Sequence, residues 1–158
     1  MNKRDLKNST FQVSFFLDAI YTDWYTELRR WLMDNKEKIL ESALDLFYSK
    51  GYDAVGVQEI VERSGITKPT LYHYFGSKYG LLEHLVRNYY GKFEEKLEAA
   101  SVYDGDLPLT LYRFVNTYFS EVLKNKKFYC LFMSMMYAGK ESDMYRVVRP
   151  YALRQLKM

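Results

Sequence analysis

One cysteine, two histidines, three prolines and no apolar run approaching the roughly 20 residues of a membrane span leave this 158-residue chain without the devices on which several protein classes depend. Cys130 alone cannot build an internal disulfide framework; it suits a reducing cytoplasm and is expected to be a small buried residue. His73 and His84 with that lone thiol offer no zinc spacing, so no metal is expected. Nor is there a phosphate-binding glycine loop, or a nucleophile with a base and an orienting group, so neither a cofactor nor enzymatic activity is expected. The N-terminal "FQVSFFLDAI" follows Lys3, Arg4 and Lys7, but Asp18 interrupts it and no small-residue cleavage site follows. A signal peptide and a membrane partner are therefore not expected.

Charge of one sign is also scarce. The net charge is +3, and between Asn35 and Gly80 the lysines and arginines are balanced by acidic residues. The basic surplus lies after residue 100. Bulk charge gives no reason to expect a nucleic acid, so any such reading must come from pattern.

What is abundant is apolar and aromatic residues, 48% and 18% of the chain, at helical spacing. Ile39, Leu40, Ala43, Leu44, Leu46 and Phe47 follow Asp34 and Asn35, either of which can cap a first helix that Gly51 ends. Val57, Ile60 and Val61 give a short second helix, with Gly56 before it and Gly65 just past its end, where a left-handed residue is wanted. Thr67 as a cap and Pro69 in the first turn start a third helix over about Lys68 to Phe75. Ser77 caps a longer fourth helix carrying Leu81, Leu82, Leu85, Val86, Tyr89, Phe93 and Leu97. "YDGDLP" reads as a linker, after which Leu111, Phe114, Val115, Tyr118 and Val122 mark the apolar stripe of another helix. A further segment holds Phe128, Leu131, Phe132, Met135 and Met136, "AGKESD" connects, and a last helix near Met144 is expected to be disturbed by Pro150. With no repeats and no convincing strands, the fold class is all-α.

Two short helices joined at Gly65, with Ile66 to plug the angle between them, are the parts of a helix-turn-helix. Leu71 and Phe75, four apart, point inward, which leaves Thr67, Lys68, Thr70, Tyr72, His73 and Tyr74 on or near the outer side. Threonine, tyrosine and lysine there donate to phosphates, Thr70 or His73 can reach base edges, and Lys78 adds a phosphate contact from the next helix. The other reading is that these aromatics are ordinary core. It fits Leu71 and Phe75 but not the consecutive Tyr72, His73 and Tyr74, since neighbours lie about 100° apart on a helix.

From about Lys36 to Leu82 the chain resembles the TetR-type transcriptional regulators. Ala43 and Phe47, Gly51 followed by Tyr52, Glu59-Ile60, Gly65, and "LYHYF" followed by Lys78 carry the resemblance. It implies an N-terminal three-helix DNA-binding domain over 33–80, with the motif at about 56–75, and a helical regulatory bundle over 81–158. It implies a repressor that binds double-stranded operator DNA as a homodimer and is released by a small-molecule effector. By the same resemblance Thr67, Lys68, Thr70, Tyr72, His73, Tyr74 and Lys78 are DNA contacts. Where the family commonly has Ser or Thr before the second helix, this chain has Gly56, which loses a hydroxyl contact to phosphate.

Residues 1–32 have no place in the family pattern, and their aromatics, Phe15, Phe16, Tyr21, Trp24, Tyr25 and Trp31 among them, suit an amphipathic helix. The family continues for two more long helices that pair with a second subunit, whereas this sequence stops at "RQLKM". The bundle is thus expected to be incomplete and to lack the usual dimer helices. Phe114, Tyr118, Tyr129, Phe132, Met133, Met136 and Tyr137 are candidates to line a pocket for an apolar or aromatic effector, or else simply form the core of the bundle. Three readings stay open on the sequence: an effector-controlled regulator, a truncated regulator unable to dimerise and bind DNA normally, and a protein-interaction module.

Overall fold

A computed structural model describes residues 34–155. The aromatic N-terminal segment lies outside the described residues. Seven helices make up the described part, with no strand among them: α1 (Asn35–Lys50), α2 (Val57–Ser64), α3 (Lys68–Phe75), α4 (Lys78–Ser101), α5 (Leu107–Lys124), α6 (Lys126–Met136) and α7 (Asp143–Gln155). The described residues from the body of α1 onward form one compact unit.

Local sequence explains most helix ends. The Lys36 amide donates to the Asp34 carboxylate at 2.6 Å, so Asp34 is the residue that caps α1. Gly65 takes φ 68°, ψ 31°, and the amide of Ile66 reaches back to the Val61 carbonyl at 3.1 Å, closing α2 in a left-handed stop that a side chain would strain. Ser77 accepts from the Gly80 amide at 2.9 Å and Asp106 from the Leu109 amide at 3.0 Å, starting α4 and α5. Pro150 does not interrupt α7, which is helical on both sides of it. Proline removes one backbone donor, but this position is exposed, where water can serve the carbonyl left over.

The 24-residue α4 is shared by both halves of the core. Its first turns place Leu81, Leu82, Leu85 and Val86 with Ile39, Phe47, Ile60, Leu71 and Phe75, all in one buried cluster. Farther along, Tyr90 and Phe93 enter a ring-packed core: Tyr90 stacks on Phe132 at 5.3 Å between centroids, and Phe93 meets Tyr129 and Tyr118 edge-on at 5.2 and 5.4 Å. Each such pair adds about 0.5–1.5 kcal/mol beyond the area it buries.

α5 departs from expectation. Phe114, Tyr118 and Val122 do pack against the core, but Leu111 and Val115 face outward, and the helix's two buried residues are Thr110 and Glu121. The hydroxyl of Thr110 donates to the Asp106 carbonyl at 2.8 Å, and the Glu121 carboxylate accepts from Lys96 at 2.7 Å and Lys124 at 3.3 Å. The Lys96 hydrogen bond is the largest influence holding Glu121 below the usual carboxylate range.

Two outcomes follow. A Cβ built on Gly80 lies 2.1 Å from the Phe75 carbonyl oxygen, so Gly80→Ala is expected to cost about 1–3 kcal/mol in urea unfolding, because backbone must move to admit the methyl. Glu121→Gln is expected to cost about 1–2 kcal/mol at neutral pH. Since the folded-state value is depressed, that contribution is present above the ordinary carboxyl range and fades as pH falls through the folded value. Wild type and variant should therefore converge in acid unfolding curves.

Candidate nucleic-acid interface

The α2 to α3 turn sets the geometry. After the left-handed Gly65, Ile66 is half-buried against the core and Thr67 is extended at φ −101°, ψ 157°. Thr67 occupies the cap position of α3 without capping it. Its hydroxyl pairs instead with that of Thr70 at 2.8 Å, one turn along, so the two threonines present a linked pair of oxygens at the start of the helix.

α3 is anchored by two side chains. Leu71 is fully buried and Phe75 nearly so, which fixes the rotation of the helix about its axis. Thr67, Lys68, Tyr72 and His73 are exposed in consequence, and Thr70 is half-buried. Tyr74 is also half-buried and packs against the core, with its ring 5.4 Å from His73 and 6.1 Å from Phe75. Of the seven candidates, then, four project freely from one short helix and its cap, while Thr70 and Tyr74 border them. Gly76, at φ 71°, stops α3, its amide returning to the Tyr72 carbonyl at 2.8 Å.

Lys78 is placed differently. Its ammonium lies 4.2 Å from the centroid of the Tyr52 ring, and burial lowers its pKa while the charges of Asp53 and Asp143 act the other way. The Tyr52 hydroxyl in turn donates to Asp143 at 3.3 Å, at the start of α7, and burial first, then Asp143, pushes that phenol above its usual range. Tyr52 and Asp143 were not legible as parts of this arrangement, being 26 and 65 residues from Lys78, with nothing local to pair them.

Other cations near α2 are committed to carboxylates. Lys50 pairs with Glu59, while Arg63 at 3.0 Å and Lys127 at 2.6 Å share Asp45. Lys68 makes no ion pair among the described residues. α2 starts at Gly56 with no side-chain cap, as the sequence implies, leaving its first-turn amides open.

In the C-terminal half, Tyr129 and Phe132 are buried within the ring cluster, and Phe114, Tyr118 and Met136 are half-buried against the core. Met133 and Tyr137 do not join them: they face solvent, Tyr137 with 89% of its surface exposed. Cys130 is also exposed, contrary to expectation, because Phe128, Leu131, Phe132 and Met135 take the inward face of α6 and leave residue 130 on the other. No group of residues among those described is arranged to hold a metal ion, and no described helix is long and apolar enough to cross a membrane.

A helix-turn-helix whose second helix is pinned by two apolar side chains, followed by a helical C-terminal bundle, defines the class as that of helix-turn-helix DNA-binding proteins. Residues 39–85 match the family model of the bacterial regulatory proteins, tetR family. The chain is 39% identical over 98 residues to the uncharacterized HTH-type transcriptional regulator YuxN of Bacillus subtilis, covering 61% of this chain and 33% of that protein. It is 38% identical over 73 residues to the HTH-type transcriptional repressor BdcR of Escherichia coli, covering 46% and 36%. The structure of a tetR-family regulator from Shewanella sp. PV-4 aligns with a TM-score of 0.61 at 27% identity, over 74% of this chain and 61% of that one. The chain thus spans about a third of the length of these curated relatives.

The opposed influences on Lys78 give a sharp expectation. Lys78→Met keeps the stem and removes both the charge and its desolvation cost, so stability should stay within about 0.5 kcal/mol of wild type in urea unfolding. A loss above about 2 kcal/mol would show that the ammonium over Tyr52 is structural.

Proposed function

We propose that the chain is a DNA-binding transcriptional regulator that reads double-stranded operator DNA with α3 inserted in the major groove, its DNA-binding part within 33–80 and its regulatory part within 81–158. The observation that carries this reading is the division of α3 into a buried side, Leu71 and Phe75, and a projecting side with Thr67, Lys68, Tyr72 and His73. Lys68 and Tyr72 supply phosphate contacts, with Lys78 adding a charge at the start of α4 when it swings off the Tyr52 ring. The Thr67 and Thr70 hydroxyls and the His73 imidazole face base edges, and Tyr74 borders them. Relatives such as the Escherichia coli BdcR and ComR proteins are named repressors, which supports repression as the sign of regulation.

We further propose that an apolar or aromatic small molecule releases the DNA, entering where Phe114, Tyr118 and Met136 are half-buried against the core that also holds Tyr129 and Phe132. Met133 and Tyr137, exposed on α6 and at its end, belong to the rim of such a site at most.

The test is binding to operator fragments selected from random duplexes. Thr70→Ala and His73→Ala are expected to cost about 1–3 kcal/mol on the selected site and to relax preference at one position. Equal losses on selected and random duplex would argue against base reading. Lys68→Ala should weaken both duplexes alike and flatten the salt dependence by about one phosphate contact.

A further inference from the structure

Lys78 is held in a way that Lys50, Lys68 and Lys127 are not. Lys50 is bonded to Glu59 and Lys127 to Asp45 at 2.6 Å, while Lys68 projects from α3 without an ion pair among the described residues. The half-buried Lys78 also makes no ion pair among the described residues, yet its ammonium is seated 4.2 Å from the Tyr52 ring centroid, with the charges of Asp53 and Asp143 drawing on it from farther off. The seat is fixed from the C-terminal half. Tyr52 donates its hydroxyl to Asp143 at 3.3 Å, and Asp143 opens α7, whose Val147 and Val148 are buried and whose Tyr151 meets Tyr90 edge-on at 4.9 Å. The nearby Arg146 is bonded to Glu141 at 3.5 Å, which leaves Asp143 without an ion pair among the described residues.

We propose that Asp143 and Tyr52 are positioning residues that withhold the Lys78 ammonium from DNA phosphate, so that the placement of the start of α7 sets operator affinity. Three features favour a withheld contact over a structural one. The first is desolvation: burial is the largest influence on Lys78 and works against the charged form, so the fold gains little by keeping the charge there. The second is competition. A ring face and two carboxylates beyond ion-pair distance hold an ammonium more loosely than a phosphate oxygen at contact distance does, so the lysine yields to DNA as one bonded at 2.6 Å would not. The third is sign. Moving the ammonium away leaves Asp53 and Asp143 without the charge that offsets them, which opposes release in proportion to those charges.

This role rests on the DNA-reading proposal, but the seat is measurable without DNA. In the free full chain the methylene protons of Lys78 are expected upfield of their ordinary NMR positions, shifted by the Tyr52 ring, and are expected to return toward them when a selected operator fragment is added. Ordinary positions in the free chain, or an upfield shift that persists on the fragment, overturn the proposal.

Asp143→Asn keeps an acceptor for the Tyr52 hydroxyl and removes the charge. It should bind the selected fragment about 3- to 10-fold more tightly than wild type, since a group available only part of the time lowers affinity by that fraction, with unchanged helical circular dichroism. Glu141→Gln removes a charge from the same connection and should bind like wild type. Lys78→Met should bind more weakly, and adding Asp143→Asn to it should bring no gain, because no ammonium remains to release. A gain of equal size in Glu141→Gln or in the Lys78→Met background reports a general loss of repulsion and overturns the proposal. Where Lys68→Ala and His73→Ala weaken binding but Asp143→Asn does not strengthen it, the withholding role fails and the DNA reading stands. Where neither of those two weakens it, the DNA reading fails, and an upfield Lys78 in the free chain then marks a purely structural seat.

Discussion

The joint between α3 and α4 is the constraint on which the rest of the structure depends. The Phe75 carbonyl oxygen stands where a Cβ of residue 80 would be, so α4 can begin this close to the end of α3 only with glycine at that place. Gly76 in the left-handed region and the Ser77 hydroxyl on the Gly80 amide complete the joint in four residues. Because α4 then runs 24 residues and supplies core to both halves, the orientation of the candidate recognition helix is set by the same element that organises the aromatic bundle.

That continuity gives the two halves a physical route to influence each other. Lys78 over Tyr52, and Tyr52 on Asp143 at the start of α7, tie the first turn of α4 to the end of the DNA-binding segment and to the last described helix. A shift of α7 or α4 has to break or carry along the Tyr52 hydroxyl bond, and with it the position of a cation that the sequence pattern assigns to phosphate. At 3.3 Å and partly buried, that bond is a modest link, of the size expected for a contact that can be exchanged.

The molecule is less ordinary in its C-terminal part. Rings fill the bundle to the point that Tyr129 and Phe132 each touch two other rings. At the same time α5 turns an uncharged apolar side to solvent and keeps a carboxylate inside, held by two lysines. Both facts describe a domain whose burial is unfinished within the described chain, and whose remaining apolar surface is concentrated on one helix.

The sequence by itself determined the helices, their stops and the two sides of α3. Gly65, Gly76 and Ser77 act through their own backbone and nearest neighbours, and Leu71 with Phe75 marks the inward side because positions four apart share a face. The tertiary structure alone decided which of two available partners a group takes. Thr67 bonds the Thr70 hydroxyl instead of an amide, Lys78 covers a ring contributed from 26 residues away, and Cys130 faces water because four larger apolar residues claim the inside of α6. The α5 stripe is the clearest case. Periodicity shows that one side of a helix avoids water, but it carries no information on whether the cover is the chain's own core or another surface, and only packing settled that Leu111 and Val115 point away from the core.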